Sequence, residues 1–519
     1  MSIPKFKNEP LLDFSKPALR KKQESALAAL RESLGREYPI VIGGKRVTAP
    51  EKFNSFNPSR SAEVVGIFQK GDADIAGKAI GAALSAFETW KNVPSVDRAA
   101  CLFKAARLMR KQRWELNAVM ILEVGKPWPE ADADTAEAID FLEYYGREML
   151  RYGVDQPVVK NPGEKGKLVY LPLGVGVVIP PWNFPLAILA GMTSAAIVAG
   201  NTVVLKPSSD SPLIGWKFFE IMEKAGVPPG VLNYVTGPGG AVGDTLVMHP
   251  KTRFVSFTGS KDVGIHINEV AARVQPGQIW LKRVVAEMGG KDSIIVDAGV
   301  DLEEAAKGVI ASAFGFSGQK CSACSRVIVH AGVYDRFIGI LATRAGALTL
   351  GDPADPATSV GPVVNRTSHT SIMAYIEKGV REGGRIVAGG APGSPGGYFI
   401  QPTVIADVAP DATIAQEEIF GPVLAVIRAR DFDEALSIAN NTEFGLTGAV
   451  YTGNSRHRKR AEREFFVGNL YLNRKCTGAL VGVHPFGGFN MSGTDSKAGG
   501  RDYLLLFLQA KSIAEKIMK

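Results

Sequence analysis

Cysteine is scarce in this sequence, with four residues among 519. A chain with so few cysteines does not carry the disulfide framework of small secreted proteins, and it fits a reducing compartment. The first ten residues, MSIPKFKNEP, also lack the apolar core of a secretion signal and the Arg- and Ser-rich pattern of a transit peptide. We therefore expect a cytoplasmic protein.

Long hydrophobic runs are missing as well. Residues 171–205 carry no charged side chain, but glycines and prolines interrupt them, at Gly174, Gly176, Pro180, Pro181, Pro185 and Gly191. A membrane-spanning helix needs about 20 consecutive apolar residues. The segment is therefore expected to form a buried strand, a loop and a core helix, without membrane association.

A concentrated basic surface is also absent from the sequence pattern. The net charge is +8, but Lys and Arg are spread along the chain, and the local excess in residues 16–37 alternates with Ala and Leu at helical spacing. That spacing is typical of a solvated amphipathic helix, so no nucleic-acid partner is expected. A mildly basic protein attracts anionic small substrates instead.

Glycine, in contrast, is plentiful at 57 residues, and the chain length favours two domains. Short apolar runs alternate with helical stretches, first in GVGVVIP, TVVLKP, VLNYVTG, RFVSFTG, VVAEMGG and SIIVD, and then in SRVIVH, YFIQPTVIADV, VLAVIRA, TGAVYTG and GNLYLNR. Wholly apolar strands separated by helices are typical of parallel sheets covered on both faces. The predicted fold is α/β, with two doubly wound parallel-sheet domains.

The segments around these runs predict accessory elements. Tyr38–Val47 has the pattern of a strand with a hairpin turn, and residues 96–126 predict long helix structure capped by Ser95, with Cys101 in the core. The turn cluster NPGEKG predicts a second hairpin, and the tail DYLLLFLQAKSIAEKI predicts an edge strand that needs a partner. Exposed strands of this kind favour a homodimer or a larger homo-oligomer.

These patterns divide the chain into four parts. The expected parts are a helical arm (1–37), a first sheet domain (38–153 and 169–287), a second sheet domain (288–489) and an oligomerisation element (154–168 and 490–519).

Several strand ends are candidate ligand sites, because ligands of open α/β sheets collect at the carboxyl ends of the strands. One predicted strand ends at Lys206, and another ends at Gly259-Ser260 before a helix that begins at Lys261. The turn in NYVTGPGGAVG is glycine-rich, but its spacing departs from G-x-G-x-x-G. Each feature alone is a weak indication of a nucleotide, since glycine after a strand usually marks only a turn.

Two polar residues are candidate catalytic groups. Glu287 ends an apolar strand before a Gly-Gly turn, where a carboxylate is either a general base or a helix cap. Asn183, in PPWNFP, is either an oxyanion donor in a proline-stiffened loop or an ordinary turn residue.

Two cysteines lie three positions apart in FGFSGQKCSAC, at Cys321 and Cys324. A closed zinc site needs about four ligands, and the other two cysteines, Cys101 and Cys476, lie in unrelated contexts, so no metal is expected. A thioredoxin-like pair and a single nucleophilic thiolate both stay open on spacing alone.

Eight motifs in order carry a resemblance over nearly the whole chain. They are EVGKP, PWNFP, LKPS, FTGS, EMGGK, GQKCSA, EEIFGP and PFGGFNMSG. Together they resemble the aldehyde dehydrogenase superfamily. The resemblance implies an oxidoreductase whose first sheet domain binds NAD(P) and whose second is catalytic. It makes Cys321 the nucleophile and Cys324 a bystander, with Asn183 and the Cys321 N–H holding the oxyanion and Glu287 activating water.

The same resemblance implies a nicotinamide cofactor site. Lys206 matches the adenosine-ribose ligand, Ser260 the pyrophosphate contact, Glu418 the nicotinamide-ribose ligand and Phe420 the ring beside the nicotinamide. The other residues expected around the cofactor are Pro181, Trp182, Ser209 and Gly259. Strictly NAD-preferring relatives have glutamate where this chain has Ser209, so the cofactor is expected to be NAD, with NADP also accepted.

The segments FGFSGQKCSACSRVIV and NRKCTGALVGVHPFGGFNMSGTDSKAGG resemble, more narrowly, the members that oxidise L-glutamate 5-semialdehyde (1-pyrroline-5-carboxylate) to glutamate in proline and arginine breakdown. This implies a carboxylate held by the N–H groups of Gly478 and Ala479 and the hydroxyl of Ser322. Lys320 would lie beside the nucleophile. The aromatic rings that would enclose the aliphatic chain are Phe184 and Phe486.

Other functions stay open at this point. Succinate or aminoadipate semialdehyde is an alternative substrate, although those relatives hold a carboxylate with different groups. A CoA-acylating dehydrogenase is disfavoured by Glu287, since such relatives typically lack the deacylating base. A non-catalytic or thiol-redox protein of the same fold is the alternative from a different class, and Cys476 has no assigned role.

Overall fold

The computed structural model describes residues 4–518. The helices are α1 Pro17–Arg31, α2 Ala73–Trp90, α3 Ser95–Lys111, α4 Arg113–Val124, α5 Trp128–Tyr152, α6 Ala187–Val198, α7 Pro212–Ala225, α8 Asp244–Met248, α9 Lys261–Ala272, α10 Leu302–Phe314, α11 Tyr334–Gly346, α12 Arg366–Arg381, α13 Thr413–Gln416, α14 Phe432–Asn440 and α15 Ser455–Glu464. A π-helical turn spans Gly239–Gly243, and 3₁₀ turns span Gly315–Gly318 and Tyr503–Phe507. In the described range no helix is long and apolar enough to cross a membrane.

The strands are shorter than most of the helices. They are β1 Arg36–Tyr38, β2 Ile40–Ile42, β3 Lys45–Val47, β4 Lys52–Asn57, β5 Arg60–Gln69, β6 Glu164–Pro172, β7 Val175–Ile179, β8 Thr202–Leu205, β9 Leu232–Tyr234, β10 Thr252–Thr258, β11 Arg283–Glu287, β12 Ser293–Val296, β13 Arg326–His330, β14 Arg385–Ala388, β15 Thr403–Ala406, β16 Val423–Ala429, β17 Phe444–Gly445, β18 Thr447–Tyr451, β19 Asn469–Leu472, β20 Phe489–Asn490 and β21 Leu508–Lys516.

Two seven-stranded sheets form the centre of the fold. The first has the order β11-β10-β7-β8-β9-β2-β3 and is parallel from β11 to β9, and the second has the order β14-β15-β16-β13-β12-β18-β19 and is parallel except at β14. The apolar strands β8, β12 and β15 are buried along their whole length, as expected for sheets that helices cover on both faces. The doubly wound α/β prediction is confirmed. The chain passes from the first sheet to the second between β11 and β12, just after Glu287.

The predicted hairpin at NPGEKG is wrong, because β6 pairs with a different segment. Only an isolated bridge joins Gln156 to Leu168, and two prolines, which lack an N–H, lie between Gln156 and β6. β6 instead pairs antiparallel with β21, from Leu508↔Pro172 to Lys516↔Glu164. The prediction of a tail strand that needs a partner is confirmed, and that partner is β6. This single strand spans the boundary that the sequence placed between residues 168 and 169.

The predicted long helix is interrupted at Gln112, which separates α3 from α4. The Gln112 N–H bonds the carbonyls of both Leu108 and Met109, which tightens the last turn and ends the helix. Ser95 is the first helical residue and makes no capping bond, so its predicted capping role is wrong. Cys101 is partly exposed at the edge of the core, where the sequence predicted burial. The hairpin predicted at Tyr38–Val47 is confirmed as β2 and β3.

Candidate active site

Two cavities meet at Cys321. The small cavity has a volume of about 110 Å³ and the large cavity a volume of about 620 Å³, and Cys321 and Thr258 line both. The small cavity lies among α5, α6 and the loop of residues 477–482, which we call the anchor loop, and the large cavity lies at the carboxyl ends of the strands of the first sheet. A group at Cys321 therefore faces two ligand spaces at once.

Cys321 is held by the turn that precedes it. Phe316 and Ser317 have φ of 50° and 57°, a conformation that side chains rarely adopt, so neighbouring contacts must stabilise it. Ser317 Oγ donates to the Gly361 carbonyl at 2.8 Å, and the Val364 N–H donates to the Gln319 side chain at 2.8 Å. These bonds fix the turn and thereby the cysteine.

The electrostatic surroundings of Cys321 favour its neutral form. Burial raises the pKa of the thiol well above its usual value, and the carboxylates of Asp292, Glu418 and Glu287 raise it further. The protein alone therefore keeps Cys321 protonated, and formation of the nucleophile requires loss of a proton near neutral pH.

Asn183 lies between the cavity lining and the Cys321 turn. The side chain is buried, and its Nδ2 group donates to the Gln319 carbonyl at 3.0 Å. This bond uses one of the two amide hydrogens and orients the group. Asn183 and Cys321 line the same cavity, as a side chain that stabilises an oxyanion beside a nucleophile must do.

Glu287 ends β11 and lines the small cavity together with Cys321. Its Oε1 accepts a hydrogen bond from Ser496 Oγ, while Oε2 is buried without a protein partner among the described residues. Burial raises the pKa of Glu287 to about 8, and the Ser496 hydrogen bond opposes that rise. A carboxylate with a pKa near the working pH is suited to general-base catalysis.

The large cavity contains every residue that the sequence assigned to the cofactor. These residues are Pro181, Trp182, Lys206, Ser209, Gly259, Ser260, Glu418 and Phe420. Phe420 has φ of 55° and packs edge-on against Trp182 with ring centroids 5.5 Å apart. Ser208, Asp210, Met288 and Ser368 also line this cavity and were not predicted.

Three of these groups fit a dinucleotide. Ser260 precedes α9 without making a side-chain cap bond, which leaves the first-turn N–H groups for an anion. Burial lowers the pKa of Lys206, just after β8, to about 8. Burial raises the pKa of Glu418 to about 7, and its Oε1 accepts the Gly290 N–H at 2.9 Å, which leaves Oε2 for a hydroxyl. A cation, an anion-binding helix end and a hydroxyl acceptor match the polar parts of a nicotinamide dinucleotide.

The small cavity contains all but one of the residues that the sequence assigned to the substrate. Phe184, Ser322, Gly478, Ala479 and Phe486 line it, and Lys320 does not. Lys320 Nζ instead donates to Glu130 Oε1 at 2.7 Å, and only 9% of the side chain is exposed. Burial opposes ionisation of Glu130, but Lys320 and its neighbours hold the pKa of that carboxyl below its usual value. Lys320 directly precedes Cys321 in the chain, but the ion pair with Glu130 directs its side chain away from the small cavity.

One wall of the small cavity was missed by the sequence analysis. Glu137, Phe141 and Tyr145 lie four residues apart on α5 and face the cavity together. That spacing was the available signal, since an acid in an apolar helical stripe is unusual. Burial, with Asp134 nearby, raises the pKa of Glu137 to about 8. The other unpredicted lining residues are Ile188, Gly191, Met192, Thr258, Ala498 and Tyr503.

The remaining cysteines near the site lie outside both cavities. Cys324 and Cys476 are buried against each other in the core of the second sheet domain. Cys324 Sγ contacts the Arg326 carbonyl at 3.3 Å, and Cys476 Sγ contacts the Ser322 carbonyl at 3.4 Å. Cys476 thus packs against the backbone of Ser322 on the side of the protein core. Its position in the sequence did not reveal this structural role.

Comparison with known proteins agrees with this geometry. The Aldehyde dehydrogenase family matches residues 46–513. A relative from Geobacillus sp. (strain WCH70), 1-pyrroline-5-carboxylate dehydrogenase, is 57% identical over 510 residues, which cover 98% of this chain and 99% of the relative. A relative of the same name from Bacillus cytotoxicus is 54% identical over 512 residues, which cover 99% of both proteins.

Solved structures show the same likeness in three dimensions. The structure of 1-pyrroline-5-carboxylate dehydrogenase from Thermus with bound NAD is 51% identical, has a TM-score of 0.98 and matches over 100% of both chains. Betaine aldehyde dehydrogenase from Staphylococcus aureus in complex with NAD+ is 29% identical, with a TM-score of 0.89, over 95% of this chain and 97% of that one. On the family match, the full-length identity and the shared architecture, the chain belongs to the aldehyde dehydrogenase family.

Proposed function

We propose that this protein oxidises L-glutamate 5-semialdehyde, the open form of 1-pyrroline-5-carboxylate, to L-glutamate with NAD, in the breakdown of proline and arginine. The observation that carries the proposal is the place of Cys321, at the junction of a small aromatic cavity and a large cavity fitted to a dinucleotide. The names of the relatives and the NAD-bound Thermus structure support the same substrate and cofactor.

The reaction begins at the sulfur of Cys321. The thiol loses its proton to solvent, and Sγ forms a bond to the aldehyde carbon, so that negative charge develops on the aldehyde oxygen. The amide of Asn183 and the N–H of Cys321 donate hydrogen bonds to that oxygen and stabilise the thiohemiacetal. Asn183 is already oriented by its bond to Gln319, so this stabilisation requires little rearrangement.

NAD, when bound in the large cavity, would supply the acceptor for the hydride that leaves the substrate carbon, and loss of that hydride converts the thiohemiacetal on Cys321 into a thioester. The residues that would hold it are Lys206 and Ser260 at the adenosine and pyrophosphate end, and Glu418 and Phe420 at the nicotinamide end. Ser209 places a neutral group where a carboxylate would repel a 2′-phosphate, so NADP is also accepted.

Release of the product depends on Glu287. Its carboxylate removes a proton from water, the water oxygen attacks the Cys321 thioester, and the carbon–sulfur bond breaks to give glutamate and the cysteine. Oε2, which has no hydrogen-bond partner within residues 4–518, is the oxygen that would accept this proton. Because the pKa of Glu287 is about 8, the fraction of active base rises with pH through that value.

The small cavity recognises the other end of the substrate. The N–H groups of Gly478 and Ala479 and the hydroxyl of Ser322 bind the α-carboxylate, while Phe184 and Phe486 enclose the aliphatic chain. Glu137 faces the same space, and a substrate ammonium beside it would favour the ionised form of this acid and pair with it. A volume of about 110 Å³ suits a chain of a few carbons.

The wider organisation belongs to the same proposal. The helical arm (1–37), the NAD(P)-binding domain (38–153 and 169–287), the catalytic domain (288–489) and the oligomerisation element (154–168 and 490–519) form a cytoplasmic homodimer or larger homo-oligomer. The long, exposed ribbon of β6 and β21 supports this, since such a ribbon can pair or pack with another copy.

A substrate panel tests the proposed function. The rate of NAD reduction is measured with pyrroline-5-carboxylate, succinate semialdehyde and aminoadipate semialdehyde, and Cys321→Ala serves as the inactive control. We expect the highest kcat/KM with pyrroline-5-carboxylate. A higher value with either other semialdehyde would overturn the substrate assignment, and turnover by Cys321→Ala would overturn the mechanism.

A further inference from the structure

Residues 4–14 lie outside the regular secondary structure and cross the surface of α3, α4 and α5. We call this segment the strap. The Glu9 carboxylate pairs with Arg110 at 2.8 Å, the Leu12 N–H donates to Asp132 Oδ2 at 2.7 Å, and Arg113 donates to the Pro10 carbonyl at 3.0 Å. Because Arg113 and Asp132 are themselves buried, these bonds fix the strap firmly on the helices.

Asn8 is the residue of the strap that reaches the active-site wall. Its Nδ2 group donates to Asp140 Oδ2 on α5 at 2.8 Å and to the carbonyl of Val481 at 3.0 Å. Asp140 is buried, and its other oxygen accepts the Glu9 N–H at 2.7 Å. Both amide hydrogens of Asn8 are therefore used, one on the helix and one on the anchor loop.

A second contact reinforces this connection. Phe6 of the strap packs edge-on against Tyr144 of α5, with ring centroids 5.1 Å apart. Gly482 of the anchor loop has φ of 76°, and a Cβ there would lie 3.0 Å from Tyr144 and 3.2 Å from Phe6. The loop thus fits closely between the two rings, which glycine alone allows without strain.

The joined elements are those that form the small cavity. Asp140 lies between Glu137 and Phe141 on α5, and Val481 lies two residues after Ala479. The other end of the loop has its own support, because Arg474 donates to the carbonyls of Thr477 at 2.8 Å and Gly478 at 3.2 Å. Asn8 ties the far end of the loop to the helical wall, beside the bond from the Gly482 N–H to the Gly499 carbonyl.

We propose that Asn8 is a positioning residue that holds the anchor loop against α5 and thereby sets the affinity for the carboxylate end of the substrate. This inference rests on the proposed function, since it concerns the same carboxylate site. Asn8 acts through Val481, without touching the substrate, so its loss moves the N–H groups of Gly478 and Ala479 away from their best geometry. The Asn8 side chain bonds Asp140 and Val481 and does not bond Cys321, so its loss should change the chemical step little.

The test compares two substrates on Asn8→Ala. Pyrroline-5-carboxylate carries the carboxylate, and butanal is a neutral aldehyde of similar length. Loss of one hydrogen bond weakens binding about fivefold, so KM for pyrroline-5-carboxylate should rise by about that factor with kcat nearly unchanged, while KM for butanal stays constant. The inhibition constant of the product L-glutamate should rise in parallel and gives a second readout that does not require turnover of butanal.

Two comparisons separate this effect from general damage. Lys7→Ala, an exposed neighbour in the strap, should behave as the unaltered protein. The ratio of kcat/KM for the two substrates is independent of the folded fraction, so partial unfolding of Asn8→Ala does not imitate the result. Equal losses on both substrates, or an unchanged glutamate inhibition constant, would overturn the inference. An unaltered enzyme that does not prefer pyrroline-5-carboxylate to butanal would overturn the proposed function itself.

Discussion

The two cavities that meet at Cys321 are built in different ways. The large cavity is formed by turns at the carboxyl ends of neighbouring strands, where Lys206 follows β8 and Ser260 follows β10. The small cavity is assembled from α5, α6 and the anchor loop, which are far apart in the chain. Much of the cofactor cavity therefore comes from short local segments, with Glu418 and Phe420 added from the segment between β15 and β16, whereas the substrate cavity depends on how distant elements pack.

The two cavities also differ in charge. The large cavity combines the Lys206 amine with an open helix N-terminus at Ser260, which suits phosphate groups. The small cavity holds two half-buried acids, Glu137 and Glu287, and desolvation raises the pKa of each to about 8. The large cavity is thus suited to an anion. The small cavity is suited to proton transfer and to an ammonium group next to a carboxylate that other groups bind.

Replacing the cysteine at which the two cavities meet should have the largest effect. Cys321→Ser keeps the shape of the site but substitutes a much weaker nucleophile, so we expect kcat for NAD reduction to fall about 1,000-fold or more. The measurement is steady-state formation of NADH with pyrroline-5-carboxylate, together with binding of NAD to the variant, which should persist.

Cys324→Ala is the matched control for that experiment. The side chain lies outside both cavities, so the variant should keep most of its activity and lose only some stability from the small void. A comparable loss of activity in the two variants would favour a thiol-redox pair. Full activity in Cys321→Ser would contradict the nucleophile assignment.

The strand-end part of the large cavity could be predicted from sequence because its elements are local. The runs that became β7, β8 and β10 were recognisable as buried strands, and Lys206 and Ser260 follow their strands within two residues, whereas Glu418 and Phe420 were assigned only through the resemblance to the family. The end of a strand, the polar residue that follows it and the start of the next helix can all be recognised within about a dozen consecutive residues. The packing of the strands then brings these ends together without further information.

The small cavity and the accessory elements were predicted less completely, for physical reasons. The direction of Lys320 depends on Glu130, an acid on α5 that no local pattern connects to it. The partner of β6 is the tail strand, more than three hundred residues later, rather than the adjacent segment. The contact of Asn8 with Val481 likewise spans most of the chain. Pairings of this kind are decided by tertiary packing.

A substitution confined to the large cavity should separate cofactor recognition from substrate recognition, and we expect its effect to be intermediate in size. Ser209→Glu places a carboxylate where NADP would carry its 2′-phosphate, and juxtaposed like charges cost enough to lower kcat/KM for NADP about 100-fold. kcat/KM for NAD should change little, and KM for pyrroline-5-carboxylate should be unaffected. Both cofactors are compared at saturating aldehyde.

The unaltered protein provides the baseline for that substitution. Because Ser209 is neutral, we expect the preference for NAD over NADP to be below about 1,000-fold. Ser209→Gln is the uncharged control of similar size and should keep more NADP activity than Ser209→Glu. Equal NADP activity in these two variants would place the 2′-phosphate elsewhere.

The smallest expected effect concerns the general base in the small cavity. Burial raises the pKa of Glu287 to about 8, and the hydrogen bond from Ser496 lowers it toward its usual value. In Ser496→Ala the carboxylate loses that bond, so its pKa should rise further, by about half to one unit for a hydrogen bond of ordinary strength. Where deacylation limits turnover, kcat increases as Glu287 loses its proton, and this rising limb should move to higher pH by the same amount.

The sign of the shift distinguishes an electrostatic role for Ser496 from a packing role. At pH values above both pKa values the variant and the unaltered enzyme should approach the same kcat, while near pH 7 the variant should be several-fold slower. Glu287→Gln should abolish the rising limb, which assigns it to this residue, and the exposed Ser512→Ala should leave it in place. A uniform loss at every pH would mean that Ser496 only fills space. A shift to lower pH would mean that the bond stabilises the protonated acid, and Glu287 would then need a different partner to act as a base near neutral pH.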